Sequence, residues 1–145
     1  MRVPKAFAIL ALLVLAIPTL AQTILPIELN PAGILVHTKI NGVDATLIID
    51  TGAPVTVVSP RFVKGIPVKQ KININTGDGL VRATVRSAEI GLASESANVT
   101  VVAMPIDNVS ERAGTKIDGF LGLNVLGKKG SFRLDLKAKT LTLGE

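Results

Sequence analysis

The dipeptide Asn41-Gly42 interrupts "ILVHTKI-NG-VDATLIID", two runs whose side chains alternate in character. Asn-Gly between such runs is the strongest short-range hairpin signal, because a two-residue type I′ turn needs φ > 0 at both positions. A loop of that length also fixes the register, so the pairing can be tested on its side chains. One face holds Ile40/Val43, Thr38/Ala45, Val36/Leu47 and Ile34/Ile49, which is nearly all apolar. The other holds the opposite charges Lys39/Asp44, then His37/Thr46, then Leu35/Ile48. Both faces make physical sense, and the chain is committed early to a β-hairpin with one buried side.

The same parity carries Asp50 onto the second face, next along from Ile48. That face is polar at the turn and becomes apolar toward Asp50, so the carboxylate is expected at a covered position. Covered carboxylates are candidates for chemistry. The stretch "LIIDTGAPVTVVS" then turns sharply through Thr51, Gly52, Ala53 and Pro54. Read from the residues alone, Asp50 can cap a turn, take part in phosphate binding, ligate a metal or act as an acid–base group. No Gly-rich phosphate loop accompanies it. His37 is the only histidine and shares the polar hairpin face with Lys39, which fits a solvated side chain better than a ligand.

Downstream, short β-type runs are separated by Gly, Pro, Asn and Asp, with no long helical period. "SPRFVKG" offers Ser59 as a helix cap and Pro60 at the first helical position, for a single turn at most. "KININ" and "LVRATVRSAEIGL" flank "TGDG", residues 76–79, as a long hairpin with a glycine-rich tip. "ANVTVVAMPI" reads as a strand and "SERAGTK" as a polar loop. "IDGFLGLNVLG" reads as a buried apolar segment leading into a short helix closed by Gly127, and "SFRLDLKAKTLTL" as a terminal pair of strands. The fold class expected is all-β with one or two short helices.

The 145 residues allow one domain with a modest core. Arg2 and Lys5 precede the apolar run "AFAILALLVLAI", then Pro18 and the small-residue exit to Ala21. This is the layout of a secretory signal over residues 1–21, cleaved before Gln22. A retained N-terminal anchor over residues 6–21 is the alternative, although the run is short of the roughly 20 residues that span a bilayer. The mature domain is then 22–145, exported to the periplasm or secreted. The absence of cysteine excludes a disulfide framework and thiolate metal sites. With no Trp or Tyr, and scattered Lys and Arg, the chain offers bases nothing to stack on, which argues against nucleic-acid binding.

"INGVDATLIIDTGAPVTVVSP" resembles the catalytic strand and turn of the retropepsin-like aspartic proteases, single-domain relatives of pepsin. About seventy residues later "IDGFLGLNVL" resembles the family's second signature, and "INTGDGLVRATV" falls where the family carries its flap. The likeness runs over roughly residues 24–143 and implies a small closed, orthogonal β-barrel of the acid-protease type. Only one Asp-Thr-Gly is present, whereas this chemistry needs two carboxylates sharing a proton. The resemblance therefore implies a homodimer in which Asp50 of each chain meets on a two-fold axis.

On the same resemblance, Thr51 locks the two loops across the dimer and Gly52 lets backbone approach the aspartates. Ala53 borders the site, and the flap residues Gly77, Asp78 and Gly79 cover a bound peptide. Phe120, Leu121 and Gly122 pack beneath the catalytic loop, with Phe120 and Leu121 also counted toward the substrate, and Asn124 opens the helix. No metal or cofactor is implied. Retroviral members carry an acidic residue after Asp-Thr-Gly-Ala and a basic one after the second-signature Gly. Here these positions are Pro54 and Leu123, as in cellular and bacterial members, so apolar contact must hold the dimer. The function implied is an aspartic endopeptidase acting on peptides or proteins. The alternative is a peptide-binding β-module that keeps the fold without hydrolysis.

Overall fold

The Asn41-Gly42 turn folds as the alternation dictates. A computed structural model describes residues 21–144, and in it β2 (Gly33–Ile40) and β3 (Val43–Ile49) pair in the expected register, from Ile40↔Val43 to Leu35↔Ile48. Asn41 and Gly42 both have positive φ, 49° and 80°. Asn41 also accepts from the Glu89 amide (2.8 Å) and donates to the Phe62 carbonyl (2.9 Å), so its side chain pins the turn to two other segments. Lys39 pairs with Asp44, and the exposed His37 lies against Thr46 and Glu28 on the same polar face.

The remaining strands are β1 (Thr23–Asn30), β4 (Thr56–Val58), β5 (Gln70–Thr76), β6 (Gly79–Leu92), β7 (Glu95–Ala103), β8 (Gly119–Leu121), β9 (Phe132–Asp135) and β10 (Thr140–Leu143). They form one sheet in the order β5-β6-β7-β4-β8-β3-β2-β1-β10-β9. An additional pairing of β6 with β2, at Lys39↔Gly91 and Ile40↔Ile90, closes the middle of that sheet into a ring of six strands. The all-β class is as expected. Inside the ring lies the main core, which includes Val36, Ile40, Leu47, Val58, Ile90, Val101, Leu121 and Leu126. Burying each such side chain contributes about 1.5–3 kcal/mol relative to exposure.

A 3-10 turn occupies Pro60–Val63, with Ser59 at the cap position but making no side-chain cap bond. The short helix after the second signature is α2 (Leu123–Leu126), ended at Gly127 as expected. One sequence reading is corrected. "SERAGTK" is not a loop throughout, because its first four residues lie in helix α1 (Asp107–Ala113). Asp107 in the first turn and Arg112 in the last suit the helix dipole, and Gly114 stops the helix in the left-handed conformation (φ 64°). This helix supplies the cover inferred for the second hairpin face. Ala113 and Ile117 are buried with Leu35 and Ile48 in a separate cluster, against which Val109 and Phe120 pack. The secretory-signal reading covers residues 1–21, of which 1–20 lie outside the described residues. Among the described residues, no helix is long and apolar enough to cross a membrane.

Candidate active site

Asp50 stands one residue beyond the end of β3, where parallel pairing with β8 (Ile48↔Phe120, Ile49↔Leu121) runs out. Its amide donates to the Leu121 carbonyl (3.0 Å), which prolongs the β3–β8 contact by one bond. The chain then folds back. The Gly52 amide donates to Asp50 Oδ1 (2.9 Å) and the Ala53 amide to the Asp50 carbonyl (3.3 Å). A Cβ on Gly52 would sit 3.2 Å from that same carboxylate oxygen, so a glycine lets the turn close on the aspartate. Asp50 is half-buried, while Thr51 and Gly52 are exposed. The Thr51 hydroxyl has no hydrogen-bond partner among the described residues.

The turn is strapped from below. The Leu123 amide donates to the Ala53 carbonyl (2.8 Å) and the Asn124 amide to the Pro54 carbonyl (3.1 Å). Thr56, fully buried, donates through its amide and its hydroxyl to Asn124 Oδ1 (2.9 and 2.8 Å), and its hydroxyl oxygen accepts from the Gly122 amide (3.0 Å). Asn124 Nδ2 reaches on to the Thr100 carbonyl (2.7 Å). Two glycines of the second signature make this strapping possible. A Cβ on Gly122 would lie 2.7–2.8 Å from backbone atoms of Val55, Ala53 and Thr56, and one on Gly119 would lie 2.0 Å from the Val57 carbonyl oxygen. Real Cβ atoms do not come so close, so β8 is glycine-flanked because β4 and the turn press directly on its backbone.

These features, one Asp-Thr-Gly at a strand end cradled by a glycine-flanked strand and a short helix, coincide with a family profile. The profile of aspartyl proteases matches residues 36–125, which spans the hairpin, the turn, the flap and the second signature. The chain belongs to the aspartyl protease family. Among solved structures, the chain is similar in fold to a retropepsin-like aspartic protease from Rickettsia conorii. That match has 14% identity and a TM-score of 0.57, covering 85% of this chain and 89% of the other. It is also similar to the retroviral protease-like domain of Ddi1 from Leishmania major, at 20% identity and TM-score 0.52, covering 75% and 86%. The EIAV protease, solved with the inhibitor HBY-793, matches at 18% identity and TM-score 0.51, covering 75% and 95%. Comparison with curated protein sequences returns no match.

The hairpin of β5 and β6, turned through Gly77 and Asp78, stands where the resemblance puts the flap. A cavity of about 810 Å³ opens between the flap and α1, lined by Gly77, Asp78, Leu80, Met104, Val109 and Phe120 among others. Gly77, Asp78 and Phe120, three of the residues counted toward a substrate, all line this cavity. Gly79, next to them, starts β6 with φ 118°, a conformation that favours glycine. Leu121 differs from expectation. Its side chain is buried in the core, and it serves the site only through the carbonyl that holds Asp50. Asp50, Thr51, Gly52 and Ala53 are not on the wall of that cavity; they lie on the turn strapped by α2.

Some supporting residues escaped the sequence reading. Asp118 is buried and accepts from Arg61 Nη2 (2.8 Å) and the Thr46 amide (3.0 Å), so it ties β3 to the 3-10 turn at the foot of β8. The signal available for it was an acid set inside the apolar stretch "IDGFLGLNVLG", which points to a buried partner. Thr56 and the α1 residues Asn108 and Arg112 gave no signal, because their partners lie far along the chain.

Proposed function

We propose that this chain is an aspartic endopeptidase whose site is completed by a second copy of itself. The observation that carries this reading is the position of Asp50: a half-buried residue whose amide donates to the Leu121 carbonyl and whose carboxylate accepts from the Gly52 amide, on an otherwise exposed turn. The chain has one such motif, and the chemistry requires two. A two-fold contact through that turn supplies the second without any further sequence, and brings an unpartnered Thr51 hydroxyl from each copy into the joint.

In the pair, one carboxylate takes a proton from a water held between them, and the water oxygen attacks the scissile carbonyl carbon. The other carboxyl gives its proton to the carbonyl oxygen. The tetrahedral species collapses by breaking the C–N bond, with a proton passing to the leaving nitrogen. An extended peptide lies between flap and floor, held by strand-like hydrogen bonds. Leu80, Met104, Val109 and Phe120 favour apolar side chains in the part of the peptide that the cavity beside the flap receives. Export to the periplasm or secretion, after removal of residues 1–21, is part of the same reading and rests on the N-terminal sequence pattern.

A peptide-library digest by the wild type beside Asp50→Asn tests the proposal. The variant keeps the fold and loses cleavage by at least about a thousandfold, since it removes both carboxylates of the pair. Comparable cleavage by the purified variant sinks the proteolytic reading.

A further inference from the structure

The flap tip is tied to α1 by side chains. Asp78 Oδ2 accepts from Asn108 Nδ2 (2.8 Å) and from Arg112 Nη2 (3.1 Å). Arg112 Nε turns back to the Asn108 carbonyl (3.4 Å), so the two donors sit together, one helical turn apart. On the flap side, Thr76 Oγ1 accepts from the Asp78 amide (3.3 Å) and donates to the Gly79 carbonyl (2.9 Å), which holds the turn that presents Asp78. Little else restrains this tip. β5 is the edge of the sheet and pairs only with β6, and Leu80, beside the tip, is 72% exposed. The contact closes across the cavity that the flap and α1 share with Phe120.

We propose that Asp78, Asn108 and Arg112 form a clasp that holds the flap against α1 at rest and must release to admit a peptide. The clasp is built for reversibility. Its charged side chains are 65% and 69% exposed, so water and salt compete for both, and a pair of this kind is weak. Two donors converging on one carboxylate oxygen distinguish it from a chance surface pairing. Asp107 and Arg82 line the same cavity, one charge of each sign, and leave its balance unchanged. The clasp stands on the contacts alone, whereas its role in admitting peptide rests on the proteolytic reading.

Amide hydrogen exchange over residues 76–81 of the full-length protein tests the clasp. Arg112→Gln speeds exchange by about two- to fivefold, the range expected of an exposed ion pair. The charge swap Asp78→Arg with Arg112→Asp returns it toward the wild-type rate. Sodium chloride at high concentration speeds the wild type and leaves Arg112→Gln unmoved, because only the wild type has a pair to screen. Exchange that is unchanged in Arg112→Gln, or equally salt-sensitive in both proteins, overturns the clasp. The measurement needs no catalysis and is repeated on Asp50→Asn, so loss of the proteolytic reading leaves it intact. For admission, a clasped flap reduces the competent fraction, so Arg112→Gln lowers KM by the same factor with kcat unchanged. Faster exchange with an unaltered KM removes the gating role.

Discussion

Thr56 and Asn124 show how much of the site depends on single polar atoms. The Thr56 amide is buried and its bond to Asn124 Oδ1 is 2.9 Å, while the Thr56 hydroxyl passes the connection to the Gly122 amide. Asn124→Ala orphans a buried N–H and frees the Thr100 carbonyl as well. The expected loss is about 1–3 kcal/mol in urea denaturation, the usual cost of leaving such a group unsatisfied. Asn124→Asp keeps the acceptor for Thr56 and loses the donor to Thr100, so it falls between wild type and Ala. Equal stability of Asn124→Ala and wild type would mean that the strap contributes nothing. Asp50 was legible from hairpin parity, and Asn124 from the second-signature resemblance. Thr56 was not, because its partner lies 68 residues away and only the β4–β8 crossing brings the two together. Leu121 misled for a related reason: in a three-residue strand alternation is too short to tell a cavity wall from the core, and β8 presents Phe120 to one and Leu121 to the other.

Among the elements, the hairpins were written in the sequence and the short helix α1 was not. A type I′ turn has a two-residue signature, and alternation over six or more residues fixes which face is inside. Helix α1 has seven residues, with a single buried side chain, Ala113, so no apolar stripe could declare it. Gly114 and the placement of Asp107 and Arg112 were the available signals. Another contact between elements has a consequence for pH. Lys129, after α2, donates to Thr23 Oγ1 in β1 (2.7 Å) and pairs with Glu95 of β7 (2.6 Å), which also accepts from Thr23 Oγ1 (3.1 Å). The Lys129 hydrogen bond, then that from Thr23, holds the Glu95 carboxyl below its ordinary 4.5. A carboxylate lowered in the folded state adds stability that is present above its unfolded value and lost as pH falls through the folded one. Glu95→Gln is therefore less stable than wild type near neutrality, and the gap narrows as pH falls from the ordinary carboxyl range through the lowered folded value. Thermal melts of both proteins from pH 7 to 3 measure it. A gap of the same size from pH 7 down to pH 3 would show that the ion pair is not its source.

At the scale of the whole molecule, the ring of six strands places the Asp50 turn, α2 and the flap, but a single ring holds half of the proposed site. The ring's closure was readable only through the family resemblance, because the three-residue strands β4 and β8 carry no periodicity of their own. What joins two rings is a matter of surface chemistry. Pro54 and Leu123 flank the turn on the exposed side, and Leu123 is 40% exposed. No opposite charges stand at these two positions, so the proposed contact gains its free energy from removing apolar surface from water. The formal charge of +5, less Arg2 and Lys5 in the leader reading, leaves +3 on each copy, and like-charged copies repel over about 8–10 Å at moderate salt. Two expectations result. Specific activity rises with protein concentration and levels off above the dissociation constant of the dimer, because the monomer has one carboxylate where two are needed. Raising sodium chloride from low to high leaves association unchanged or slightly tighter, since screening weakens only the repulsion. Sedimentation velocity and a peptide assay over the same dilution series read both. Constant specific activity on either side of the dissociation constant would rule out a shared site, and a steep loss of association with salt would place ion pairs, not Pro54 and Leu123, at the joint.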